Sequence, residues 1–243
     1  MTSAATLTHT SAQRRDPGAL GGLLYVLFFV ASLVVAGMLG PSGAVTPYSS
    51  DADVQSYRLK DPAALENAFR ILGLLQGLSA LALLAFVPCL TEFVRRYGSE
   101  ARAGVVRALV TVAGALLLLS ASTSWILAQI GSRAELSTFR AVSDLSFITG
   151  AGPAIATLGA AVFLVAATGR VNRALPAWVA WSGMVIGVAS VLSMSSLVAE
   201  GGSAFIPIGR FFGFIWFIAL SVLLWRRGGP TGDLTGPGTP RHP

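Results

Sequence analysis

Six apolar stretches, each long enough to cross a bilayer, take up most of this 243-residue chain. They are Leu20–Leu39, Phe69–Leu90, Val105–Ala128, Phe147–Thr168, Ala177–Leu197 and Ile208–Trp225. A hydrocarbon core about 30 Å thick needs roughly 20 helical residues at about 1.5 Å each. A charge at mid-membrane costs about 2.5–3.5 kcal/mol, and none of the six carries one near its middle. Arg70, Arg107 and Arg210 sit close to segment ends, where a long side chain can reach the headgroups. Only 12% of the chain is charged, about half the roughly 25% of a soluble domain. The expected fold is all-α: a polytopic transmembrane bundle of six helices.

Sixteen of the seventeen basic residues are Arg, Lys60 being the exception. Eleven fall on one side: Arg14, Arg15, Arg95, Arg96, Arg102, Arg107, Arg170, Arg173, Arg226, Arg227 and Arg241. The other side has six, together with seven of the eleven acidic residues. Basic loops stay inside, so both termini are expected in the cytoplasm. Abundant Arg, Ala and Gly match a GC-rich bacterial coding bias, which points to the bacterial plasma (inner) membrane. Trp178, Trp181 and Trp225 fall at the inner interface and Trp125 near the outer one, while Trp216 is mid-span. The pI of 10.4 does not imply nucleic acid, because the basic residues are scattered between apolar segments. Arg14 and Arg15 precede an apolar run too long for a signal peptide and without an Ala-x-Ala site, so the first helix is read as uncleaved.

Residues 1–17 and 228–243 are expected to be disordered cytoplasmic tails around a membrane domain spanning 18–227. Asp61-Pro62 signals a helix start, placing the beginning of helix two before its apolar run, with Glu66 and Arg70 spaced as an ion pair. That helix continues to Gly98, with a bend expected at Pro88. Gly40–Lys60 is then the longest loop. Its Asp51 and Asp53, with Asp61 nearby, lack the spacing of a calcium loop and are read as solvated. Ser132 to Glu135 form a capping box. Beyond it, Leu136, Phe139, Val142 and Leu145 make one face of a short amphipathic helix on the outer interface, with Arg140 and Asp144 on another.

Three small-residue strips, Gly73/Gly77, Gly183/Gly187 and Gly209/Gly213, allow close helix approach. Packing within one bundle is favoured over dimerisation. Polar side chains gather toward the outer half of several helices: Gln76, Ser79, Ser120, Thr123, Ser124, Ser190 and Ser193. They outline a polar outward-facing cavity, set against the plainer reading that hydroxyls bond back to their own helices or glue helices together. Gly150-Ala151-Gly152-Pro153 could unwind helix four, although proline at a helix start is the simpler account. Helices two and six share an Arg-Gly spacing at Arg70 and Arg210, which chance explains in a Gly-rich chain.

His9 and His242 lie in the tails, Cys89 is alone, no carboxylate is mid-span and no phosphate-binding loop occurs. Haem, an intramembrane metal site, a serine–histidine pair and ATP-driven work are therefore not expected. No cofactor, metal or catalytic residue is assigned, and an enzyme is not expected.

Gly21-Gly22-Leu23-Leu24-Tyr25, Phe69-Arg70-Ile71-Leu72-Gly73, Leu175-Pro176-Ala177-Trp178-Val179-Ala180-Trp181, Gly209-Arg210 to Trp216 and Leu224-Trp225-Arg226-Arg227 resemble a bacterial family. It is a large family of six-helix integral membrane proteins described as a domain of unknown function. The resemblance covers roughly residues 18–227 and implies the architecture, with no activity or site to carry over. The leading expectation is a non-enzymatic bundle that binds a small hydrophobic molecule or a partner membrane protein, including a second copy. The alternative is a small transporter or channel using the polar outer half; a sensor or stress-response accessory role ranks third.

Overall fold

The computed structural model describes residues 17–41, 45–131 and 133–227. Both tails apart from Pro17, and Ser132 of the capping box, lie outside the described residues. A 3-10 turn (Pro17–Ala19) leads into α1 (Leu20–Leu39), followed by α2 (Asp51–Lys60), α3 (Pro62–Tyr97) and α4 (Glu100–Ile130). Next come α5 (Leu136–Gly150), α6 (Gly152–Val171) and α7 (Ala177–Leu192). Two 3-10 turns (Ser193–Leu197 and Glu200–Ala204), α8 (Phe205–Pro207) and a π-helical turn (Ile208–Phe212) lead to α9 (Gly213–Arg227). Among the described residues there is no strand, and six helical stretches are long and apolar enough to cross a membrane. The fourth is α5 and α6 taken together.

Local chemistry sets the ends. The Asp61 carboxylate accepts from the Ala64 amide and Pro62 opens α3, so the helix begins well before its apolar run. Gly98 ends it, and Ser99 caps α4 through the Arg102 amide. Pro88 is accommodated within α3, which continues on both sides of it. Glu66 and Arg70 do not pair; the ion pairs of the described residues are Arg95–Glu92, Arg140–Asp51 and Arg140–Asp144.

The long helices close a ring in which α1 packs on α3, α3 on α4, α4 on α6, α6 on α7, α7 on α9 and α9 back on α1. The turn before α1 also touches α9, so residues 17 and 227 lie at one end, the terminal end. The α1–α2 and α4–α5 links lie at the other, the loop end. The apolar window of the fourth span is 67% buried, against 28–39% in the other five, so this span is the most enclosed of the six. Leu83, Phe86, Val106, Phe217 and Leu220 are almost fully buried around it. Leu27, Leu74, Val185 and Ile215 point outward, each more than half exposed, as lipid-facing side chains would.

A second, smaller core at the loop end corrects the loop reading of Gly40–Lys60. Val54 of α2 packs with Leu65, Leu127 and Phe139, drawing α2, α3, α4 and α5 together. Ser50 caps α2. Arg58, buried, donates to the Ala134 carbonyl at 2.8 Å and lies over the Phe139 ring. Arg140 of α5 pairs with Asp51 and donates to the Ser49 and Pro47 carbonyls. Asp53 is held by the Ser50 hydroxyl. The apolar face of α5 thus packs on protein through Leu136, Phe139 and Val142, while Leu145 is exposed.

Five of the six strip glycines sit at contacts inside the bundle. A Cβ on Gly73 would meet the Ala121 carbonyl at 2.9 Å, and one on Gly187 the Gly159 carbonyl at 2.7 Å. Gly77 faces Ala121, Gly183 faces Trp216 and Ala166, and Gly209 faces Ser190 and Ile155; Gly213, also buried, borders a small internal hollow. The mid-span Trp216 is buried and donates to the Val179 carbonyl at 2.9 Å, so its indole N–H is satisfied away from any interface.

Candidate functional site

Between α1, α3, α4 and α5, at the loop end, lies a cavity of about 380 Å³. Much of its lining is apolar: Phe29 and Leu33 of α1, Leu72 of α3, Leu117 of α4 and Phe147 of α5. Polar groups on the same helices also line it: Gln76 of α3, Ser120 and Ser124 of α4, and Ser143 and Ser146 of α5. Tyr57 of α2 reaches the cavity from the small core, and burial pushes its phenol above the ordinary value, keeping it neutral.

Ser120 and Ser124 share a face of α4 because residues four apart stack one turn above the other. Ser120 donates to the Ser146 carbonyl at 2.9 Å, and Ser124 donates to the Ser120 carbonyl at 2.9 Å. The Ser124 and Ser146 hydroxyls are 3.2 Å apart, which ties α4 to α5. Gln76 makes no hydrogen bond with any described residue, so both amide donors and its carbonyl remain for the cavity.

The other residues of the expected polar cavity lie elsewhere. Ser79 donates to the Tyr25 carbonyl at 2.7 Å, joining α3 to α1. Thr123 bonds back to Leu119 and Ser120, and Ser190 to Ile186. Ser193 is packed against the Gly152 carbonyl at 3.2 Å and bonds to Ser190. The plainer reading of these four as helix-bonding hydroxyls fits their geometry, and only Gln76, Ser120 and Ser124 converge.

What the sequence reading missed is Arg210. Instead of reaching toward headgroups, its side chain turns inward from the π-helical turn and lines the same cavity. The α5–α6 break receives it. Ala151 takes a non-helical conformation (φ −107°, ψ −108°), and Pro153 has no N–H to offer the Thr149 carbonyl. Arg210 donates to the Gly150 carbonyl at 2.5 Å, at the negative end of the α5 dipole, and its guanidinium lies 4.8 Å from the Phe29 ring centroid. Both readings of Gly150–Pro153 apply: the chain leaves helical geometry at Ala151, and Pro153 sits in the first turn of α6, as the plain helix start has it. The signal was present in the sequence: Arg210 has five uncharged residues on each side, Phe205–Gly209 and Phe211–Ile215. Arg70, its counterpart in the helix-two echo, is exposed.

Arg210 also borders a hollow of about 20 Å³ beside Tyr25, Ile155 and Gly159. Neither space is lined by a carboxylate or an imidazole among the described residues. No group of three or more His, Cys, Asp or Glu that could hold a metal occurs among them either. Comparison with protein-family models, curated proteins and solved structures gave no match. The chemistry of the site is hydrogen bonding, one cation and an apolar lining.

Proposed function

We propose that this chain is a multi-pass protein of the bacterial plasma membrane, with both termini in the cytoplasm. Its role is to bind a small apolar or amphipathic molecule in the loop-end cavity, without catalysis. The observation that carries the reading is the cavity itself. About 380 Å³ falls within the usual 300–1,000 Å³ of ligand sites, and a largely apolar lining with a few polar groups is their usual make-up. Assembly through glycine strips has less support, because five of the six strip glycines are already used inside the bundle. Transport has less support too. Toward the terminal end, Tyr25, Phe214, Phe217 and Phe86 pack ring against ring across α1, α3 and α9, which favours holding a ligand over passing it on. The cytoplasmic placement of the termini is supported by the arginine bias alone.

Thiol labelling tests the cavity. In a Cys89→Ser background, cysteine at position 76 or 124 is expected to react with a membrane-impermeant maleimide from outside the cell, and at position 193 to stay unreactive. If positions 76 and 124 both resist, there is no accessible cavity and the reading fails. Reporter fusions test the topology, with both ends expected inside.

A further inference from the structure

We infer that the cavity ligand is an amphiphile with a single negative charge, its acid group held by Arg210 and its apolar body lying along Phe29, Leu33 and Leu117. The inference rests on the binding role proposed above and adds the chemical class of the ligand.

Arg210 is the one charged side chain among the described residues lining this cavity. A guanidinium has five N–H donors in a rigid fork. One goes to the Gly150 carbonyl, and the others find no acceptor among the described residues. None of the ion pairs among them involves Arg210. The Phe29 face and the end of the α5 dipole hold the cation in place, but they contribute only partial charge and leave one full positive charge beside an apolar wall. In a low-dielectric setting an uncompensated charge is costly. An ionisable group within a transmembrane segment usually marks a binding or transport path.

The charge count narrows the ligand. A phosphate monoester carries about −1.5 to −2 near neutral pH, more than one guanidinium offsets. A carboxylate or a phosphodiester carries one charge, and either presents paired oxygens to the fork. Such headgroups reach the cavity from two sources: a free fatty acid or an anionic bilayer lipid. The apolar lining takes the chain in both cases, and the Gln76 amide, which has no other partner among the described residues, can donate to an oxygen that Arg210 does not reach.

The test uses full-length protein in nanodiscs of zwitterionic phospholipid, with radiolabelled dodecanoate as probe at a pH where the acid is ionised. Unlabelled dodecanoate, dodecanol and phosphatidylglycerol compete. Dodecanoate is expected to bind, and dodecanol about tenfold or more weakly, the usual size of a lost charge-assisted hydrogen bond. Arg210→Gln should bring acid and alcohol to equal affinity, and Arg210→Lys should keep the acid preference. Displacement by phosphatidylglycerol would identify bilayer lipid as the source; its failure to displace would identify the free acid. If the wild-type protein binds acid and alcohol equally, the anion inference falls while the cavity reading stands. That comparison decides the matter even where the variants do not fold. An acid preference that survives Arg210→Gln also overturns the role of Arg210. If neither dodecanoate nor dodecanol binds, the proposed function fails with the inference.

Discussion

Each buried hydroxyl in this bundle is worth what its proton finds. Ser79 crosses from α3 to the Tyr25 carbonyl of α1, whereas the oxygen of Ser221, fully buried in α9, has no partner among the described residues. Interhelical bonds in membranes average about 0.6 kcal/mol, and an unsatisfied buried polar group costs about 1–3 kcal/mol. Thermal unfolding in detergent should therefore show Ser79→Ala slightly less stable than wild type and Ser221→Ala more stable by about 1 kcal/mol. A destabilised Ser221→Ala would mean that the hydroxyl has a partner after all. Glycines divide in the same way. At Gly187 a methyl would press on the Gly159 carbonyl at 2.7 Å and the Phe163 amide at 2.9 Å, both of them backbone. Gly187→Ala should force α6 and α7 apart at a cost of about 1–3 kcal/mol. Gly213 is buried beside the small hollow with no heavy atom within 4 Å of an added Cβ, so Gly213→Ala should be neutral or gain up to about 1 kcal/mol from helix propensity.

At the scale of elements, α2 is the piece whose place depends on a few polar contacts. It buries one apolar side chain, Val54, and is held to the turn before α5 by Arg58 on the Ala134 carbonyl and to α5 by Arg140 on Asp51. Arg140→Ala removes the Asp51 pair and the bonds to Pro47 and Ser49 together. Hydrogen exchange should then speed up across residues 51–60 while the amides of α6 keep their protection. Unchanged protection at 51–60 would assign the hold on α2 to Arg58 and Val54. This element also marks where sequence reasoning stops. The six spans were legible because apolar length is a property of the chain itself, and the start of α3 because Asp61-Pro62 acts within one turn. A ten-residue polar helix with one buried apolar residue has no comparable periodic signal. The site was legible to the same degree. Ser120 and Ser124 share a face by spacing alone, whereas separating Ser193 from Gln76 depends on which helices become neighbours. Arg210 was placed at the headgroups by its distance from a segment end, but the π-helical turn and the α5–α6 break turn it inward.

For the molecule as a whole, the decisive property is that its outside is as oily as its inside. Leu27, Leu74, Val185 and Ile215 are exposed on four different spans while the polar groups gather within. Leu27→Asp and Val185→Asp should each impair membrane insertion, since a carboxylate at such positions costs about 2.5–3.5 kcal/mol. Membrane fractionation measures this directly. Release of a well-folded, detergent-free form by these substitutions would mean that water had been the solvent of that surface.

The ring has a further consequence, which concerns timing. Phe29 and Leu33 belong to the first span and Arg210 to the last, so two edges of the cavity are made at opposite ends of synthesis. While the nascent chain is still on the ribosome, the aromatic face of α1 has no α9 to close on and the recess has no cation. A polypeptide stopped after its fifth crossing would carry most of the fold without that guanidinium, and the proposed site would be completed by the final helix to leave the translocon.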